Sequence, residues 1–128
     1  MSLRSPIGKV LGSGSAKDGT GHWWAQRVTA AALLILGGWF LWSLLQIDSL
    51  AYADLRSWVG RPLSGVMLLL LGVTLAIHSS LGVQVVIEDY VHGSAVKIIA
   101  LILNKFFHYF LAAAATLAVL RIALGDGA

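Results

Sequence analysis

The sequence predicts an all-α integral membrane protein with three transmembrane helices. Hydrophobic residues make up 58% of the 128 residues, and charged residues make up only 12%. A soluble domain has about 25% charged residues. Three long stretches are almost free of ionisable side chains, and each is at least as long as the roughly 20 residues that a helix needs to cross a bilayer. An ordinary soluble domain is therefore excluded.

The first 21 residues differ from the rest of the chain. Glycine, serine and basic residues dominate them, so they cannot bury enough apolar surface to fold alone. We expect a flexible cytoplasmic tail over residues 1–21 and an anchor domain over residues 22–128. Because the first thirty residues contain no apolar signal-peptide core, we expect the spanning helices themselves to direct insertion.

The three spans are expected at residues 26–47, 62–88 and 95–124. Trp23 and Trp24 precede the first span, and tryptophan rings favour the membrane interface. A polar connection over residues 48–61, with a short interfacial helix, leads to Pro62. Proline suits the first turn of a helix because the N–H that it lacks is not needed there.

The distribution of basic residues predicts a cytoplasmic N-terminus and a periplasmic C-terminus. Five basic residues lie on the N-terminal side of the membrane: Arg4, Lys9, Lys17, Arg27 and Lys97. Three lie on the other side: Arg56, Arg61 and Arg121. Lys105 is left out because it falls inside the third span, and the positive-inside rule then sets the orientation. The chain has no basic run, so we expect membrane lipid as a partner and no nucleic acid.

The second span carries the candidate chemistry. His78 lies within an apolar helix, and Asp89, eleven residues later, falls roughly 20° round the same face and about 16 Å further along. Gly82, one turn after His78, removes side-chain bulk beside the imidazole. The chain has no cysteine, so a bound redox group would depend on histidine, the usual axial ligand of haem iron. The alternative is a histidine that hydrogen-bonds another helix.

The third span contains two ionisable residues, Lys105 and His108. Such groups are costly inside a bilayer and are functional candidates by default. His108 lies at nearly the same predicted depth as His78, so the two imidazoles could ligate one metal ion. A hydrogen bond between helices is the favoured alternative for His108. Lys105 is expected to extend toward the cytoplasmic surface.

Three further candidates lie at the cytoplasmic side. Arg27 could pair with a carboxylate or with lipid phosphate, and the residue alone favours lipid. Asp89 and Tyr90 place a proton-accepting carboxylate beside a phenol. Interfacial tyrosine is commonplace, so this pair alone is weak support for a site.

The combined pattern resembles a known family. A histidine precedes the stretch QRVTA at the first span, and His78 is followed by Gly82 and then by Asp89 and Tyr90. With three spans, this pattern resembles the smaller haem-binding membrane-anchor subunit of bacterial succinate dehydrogenase, respiratory complex II. The resemblance covers residues 21–124. The larger anchor subunit carries an arginine-proline-serine-proline-histidine type of stretch that this sequence lacks.

The resemblance implies a role for each matching residue. His78 is similar to the histidine that supplies one axial ligand to haem b, whose other ligand comes from the larger cytochrome b anchor subunit. Tyr90 matches the tyrosine that hydrogen-bonds a carbonyl oxygen of ubiquinone, and Asp89 matches the aspartate beside it. Arg27 and, more roughly, His22 match residues near the haem propionates and the quinone pocket.

The resemblance also implies partners and a reaction. The three helices would form part of a haem-binding bundle with the second anchor subunit in the bacterial inner membrane. A flavoprotein subunit and an iron–sulfur subunit would oxidise succinate and pass electrons to ubiquinone. The chain would thus act only as a subunit of a succinate:quinone oxidoreductase. Two alternatives stay open: an anchor of a quinol:fumarate reductase, and a non-redox subunit for membrane assembly or transport.

Overall fold

The computed structural model describes residues 19–125, and this part of the chain is helical apart from short connections. The helices are α1 (Gly19–Leu44), α2 (Tyr52–Val59), α3 (Pro62–Tyr90) and α4 (Ser94–Leu124). Most of the tail expected at residues 1–21 lies outside the described residues, and Gly19 already belongs to α1.

Three of these helices are long and apolar enough to cross a membrane, which confirms the predicted fold class. The candidate spans are Thr20–Leu44, Pro62–Tyr90 and Ser94–Leu124, with 25, 29 and 31 residues. At about 1.5 Å per residue, each is longer than the roughly 30 Å of a hydrocarbon core. Their ends therefore reach the interfaces or the helices tilt.

The first helix begins well before the start expected near residue 26. Trp23 and Trp24 lie inside α1, with their rings 5.3 Å apart in an edge-to-face pair. The sequence rule that assigns tryptophan to the interface describes depth in the membrane and not secondary structure. As a result, α1 extends its polar first turns beyond the apolar run, and His22 becomes a helical residue.

The central helix is α3, which packs against both α1 and α4. No Cα atom of α1 lies within 8 Å of α4, so these described spans do not form a closed bundle. Small residues allow the close approach of α3 and α4, because a Cβ atom added to Gly72 would lie 3.3 Å from the Cβ of Ala115. Small residues commonly line such contacts between membrane helices.

The short helix α2 covers the ends of α3 and α4 on the predicted periplasmic side. Its Trp58 is buried and stacks on Trp39 of α1, with ring centroids 6.2 Å apart. Phe40 contacts the same indole. Offset aromatic pairs at this spacing are favourable, so α2 fixes the end of α1 opposite to its polar first turns.

Candidate functional site

A cavity of about 550 Å³ lies between the N-terminal half of α1 and the C-terminal half of α3. Its walls are His22, Trp23, Gln26, Arg27 and Ala30 of α1 together with His78, Gly82 and Val85 of α3. The volume falls in the range of small-molecule and cofactor pockets. The walls combine apolar surface with a few polar groups, as such pockets usually do.

Three polar side chains of α1 face α3 because of their helical spacing. His22, Gln26 and Thr29 are four and three residues apart, so they lie on one face of the helix. On α3, His78, Gly82 and Val85 have the same spacing. Packing of α1 against α3 brings the two faces together.

His78 contacts α1 through both ring nitrogens. Its Nδ1 lies 2.9 Å from Thr29 Oγ1, and its Nε2 lies 3.5 Å from the amide nitrogen of Gln26. The second distance is beyond the usual range of a hydrogen bond. The Nδ1 side of the ring is therefore firmly held, and Nε2 has no strong partner in the described part of the chain.

Two buried polar atoms in the cavity walls have no hydrogen-bond partner among the described residues, His22 Nε2 and Gln26 Oε1. Leaving such an atom unsatisfied costs about 1–3 kcal/mol. Gly82 faces the same amide, since an added Cβ atom would lie 3.8 Å from Gln26 Nε2. Both atoms belong to α1 side chains that line the cavity, so the described residues leave part of its polar wall without hydrogen-bond partners.

Arg27 adds a positive charge to the cavity wall. Its guanidinium carbon lies 4.3 Å from the centre of the Trp23 ring, within the range of a cation–π interaction. This contact orients the side chain without neutralising its charge. Among the described residues no carboxylate pairs with Arg27, so its guanidinium could pair with a carboxylate or phosphate of a ligand.

Asp89 and Tyr90 lie outside the cavity, in the last turn of α3. The Tyr90 side chain is 78% exposed. Asp89 falls one turn beyond Val85 on the face of α3 that carries His78. Across residues 19–125, neither side chain makes a hydrogen bond or ion pair. This chain alone does not bring the pair into one pocket with His78.

His108 belongs to a different contact, between α4 and α3. His108 is only 7% exposed. Its Nδ1 lies 2.8 Å from the Asn104 carbonyl oxygen, and its Nε2 lies 3.1 Å from Ser79 Oγ. The predicted hydrogen bond between helices is confirmed. The prediction that His78 and His108 could ligate one metal ion is wrong. The His78 ring contacts Thr29 on α1, whereas His108 contacts Ser79, which faces α4.

Lys105 is exposed on α4 and lines a smaller cavity of about 280 Å³ with Tyr109 and His108. This cavity is separate from the one that contains His78. The described residues contain no group of three or more His, Cys, Asp or Glu side chains placed to hold a metal ion. The extension of Lys105 toward the cytoplasmic surface stays a prediction.

Sequence reasoning missed the contributions of Gln26 and Thr29. The signal was present, because His22, Gln26 and Thr29 recur at helical spacing next to an apolar run. The apolar run alone predicts a first span that begins near residue 26, which leaves His22 outside the helix. The common face of the three residues was then not recognised.

Comparisons with known proteins agree with this architecture. The succinate dehydrogenase/fumarate reductase transmembrane subunit family matches residues 1–120. The chain is 33% identical over 125 residues to the succinate dehydrogenase hydrophobic membrane anchor subunit of Paracoccus denitrificans, covering 98% of this chain and 96% of the relative. It is 35% identical over 106 residues to the protein of the same name from Rickettsia bellii, covering 82% of this chain and 84% of that relative.

A more distant relative is the succinate dehydrogenase membrane anchor subunit of Reclinomonas americana, 29% identical over 100 residues, with 76% of this chain and 83% of the relative covered. No solved structure matches the chain significantly. The match to the family extends over nearly the whole sequence and confirms the resemblance. The chain therefore belongs to the succinate dehydrogenase/fumarate reductase transmembrane subunit family.

Proposed function

We propose that this chain anchors a succinate dehydrogenase in the bacterial inner membrane, supplies one axial ligand to a haem b and forms part of a ubiquinone-reduction site. In this proposal, it also docks the flavoprotein and iron–sulfur subunits to the membrane. The observation that supports it most strongly is the cavity at His78, where Nε2 lacks a strong partner beside two unsatisfied buried atoms. The names of the relatives favour this function over a non-redox assembly or transport role.

The residues of the cavity suit a haem group. His78 Nε2 would bind the iron, and the bare surface at Gly82 leaves room beside the imidazole. Arg27 and His22 offer a guanidinium and a ring nitrogen that suit the propionate carboxylates. When bound, the haem supplies an iron centre that accepts and returns one electron. The second axial ligand would come from the larger cytochrome b anchor subunit.

The last turn of α3 suits one side of a quinone site. Tyr90 is exposed there, and its phenol hydroxyl would donate a hydrogen bond to a quinone carbonyl oxygen. Reduction to quinol consumes protons as well as electrons, and the neighbouring Asp89 carboxylate would relay protons from the cytoplasm. Because both side chains project from the chain without partners in residues 19–125, the site would be completed by the other subunits.

The predicted topology supports this arrangement. With a cytoplasmic N-terminus, the start of α1 and the end of α3 face the cytoplasm, where soluble subunits dock. The C-terminus is then periplasmic. The exposed apolar surfaces of the three spans would contact lipid and the second anchor subunit.

Purification of the native complex through a tag on this chain tests the proposal. We expect a flavoprotein subunit, an iron–sulfur subunit and a larger anchor subunit to co-purify with succinate:ubiquinone reductase activity. Faster quinol:fumarate turnover than succinate oxidation would instead support the fumarate reductase alternative. Recovery of the chain without any of these subunits, from membranes that contain active succinate dehydrogenase, would contradict the proposal.

A further inference from the structure

We propose that Thr29 is a positioning residue whose hydroxyl holds His78 in the tautomer that carries its proton on Nδ1. The other ring nitrogen, Nε2, is then the one with a free lone pair for iron. This inference rests on the proposed haem function of the cavity. It concerns a helix-to-helix contact that fixes the ligand before any cofactor is bound.

The Thr29 hydroxyl has three close neighbours. Thr29 Oγ1 lies 2.7 Å from the Ala25 carbonyl oxygen, 3.1 Å from the Gln26 carbonyl oxygen and 2.9 Å from His78 Nδ1. A hydroxyl has one hydrogen to donate and lone pairs with which to accept. Carbonyl oxygens can only accept. The single hydroxyl hydrogen must therefore be assigned to one of these neighbours.

The shortest approach assigns that hydrogen to Ala25. Donation to the carbonyl oxygen four residues earlier is a common arrangement for threonine within a helix. Thr29 Oγ1 must then accept its hydrogen bond from His78, so Nδ1 carries the proton. In the opposite assignment, Thr29 would donate to His78, and two oxygens would face each other at 2.7 Å without a hydrogen between them.

The second ring nitrogen makes no strong contact that opposes this assignment. His78 Nε2 lies 3.5 Å from the amide nitrogen of Gln26, beyond the usual range of a hydrogen bond. The tautomer is therefore assigned from the contact with the Thr29 hydroxyl, and Nε2 keeps its lone pair.

The hydrogen bond from Nδ1 would affect how His78 binds a metal ion, as it does for histidine ligands in general. A metal-binding imidazole usually donates its other N–H to an acceptor, which orients the ring and raises its basicity. Loss of such an acceptor typically weakens metal binding about 10- to 100-fold. Thr29 is on α1 and His78 is on α3, so the packing of these two helices sets the orientation of the ligand.

The test compares Thr29→Val, which removes the hydroxyl at similar size, with Thr29→Ser, which keeps it. Each variant is measured in the intact purified complex by haem content, by the haem midpoint potential and by the electron paramagnetic resonance spectrum of the oxidised haem. Thr116→Val on α4 is the matched control, because it removes a threonine hydroxyl from a span that does not contact α1.

We expect Thr29→Val to weaken haem retention about 10- to 100-fold, to shift the midpoint potential upward and to change the resonance spectrum. Thr29→Ser and Thr116→Val should remain close to the unmodified complex. If Thr29→Val fails to assemble, Thr29→Ala replaces it, since a smaller side chain cannot clash. Unchanged potential and spectrum in the hydroxyl-free variant would overturn the inference, as would equal effects of valine and serine.

These outcomes are distinct from failure of the proposed function. Absence of haem from the unmodified complex, or full haem content in His78→Ala, would contradict the proposed haem function itself. Normal haem ligation by His78 with no effect of the Thr29 hydroxyl would overturn the positioning role alone.

Discussion

Tyr90 and Tyr109 are both exposed tyrosines, so the two substitutions to phenylalanine form a matched test of the proposed quinone site. Tyr90 ends α3 on the predicted cytoplasmic side, and Tyr109 lies within α4. Tyr90→Phe should lower succinate:ubiquinone turnover about two- to tenfold, because one hydrogen bond of about 0.5–1.5 kcal/mol to the carbonyl oxygen is lost. Succinate oxidation with an artificial acceptor should not change.

The control is Tyr109→Phe, which should keep full turnover with ubiquinone. Steady-state assays of the purified complex with both acceptors measure these effects. Full ubiquinone turnover in Tyr90→Phe would show that the phenol does not orient the quinone.

Single residues were predictable where a polar group stands alone in an apolar helix. His78 was identified from this contrast, and the structure places it in the wall of a cavity. The partners Thr29 and Gln26 were not identified, because the sequence does not show which face of α1 meets α3. Asp89 and Tyr90 lie in the last turn of α3, outside the cavity at His78, so the proposed quinone pocket would need residues from other subunits.

At the level of helices, the contact between α3 and α4 contains a polar link inside the membrane. His108 Nε2 lies 3.1 Å from Ser79 Oγ, and the Asn104 amide donates to the Ser80 carbonyl oxygen at 2.9 Å. Hydrogen bonds between membrane helices contribute about 0.6 kcal/mol on average and up to about 1.7 kcal/mol. We infer that this link stabilises the packing of the two helices.

His108→Leu should therefore lower the unfolding temperature of the complex while leaving its haem content unchanged. The expected loss of stability is about 0.6–1.7 kcal/mol for the missing link to Ser79. Thermal unfolding in detergent and the haem absorbance per complex measure the two effects. Loss of haem at unchanged stability would instead place His108 in the cofactor site.

The spans themselves were predictable because long apolar runs leave few alternatives to membrane helices. The start of α1 was not predictable from the apolar run. The first turns of α1 combine tryptophan, histidine, glutamine and arginine, and these residues also suit an interfacial loop. Helical spacing of His22 and Gln26 was the available signal. The order of packing, with α3 between α1 and α4, depends on side-chain fit that periodicity alone does not specify.

For the molecule as a whole, the described residues bury few large side chains. Only Leu36, Trp58 and Ala76 are buried hydrophobic residues in this part of the chain. In lipid, exposed apolar side chains need no protein cover, but the cavity at His78 contains polar atoms without partners. In the proposed complex, another subunit would cover this cavity.

We propose that His78 ligates a haem that is reduced by succinate. The direct measurement is the reduced-minus-oxidised absorbance spectrum of the complex purified through this chain, with succinate as the reductant. We expect a b-type haem band in the unmodified complex and in the control His92→Ala, which alters an exposed histidine outside the spans. The band should be lost in His78→Ala. A band of normal intensity in His78→Ala, or no haem in the unmodified complex, would contradict the claim.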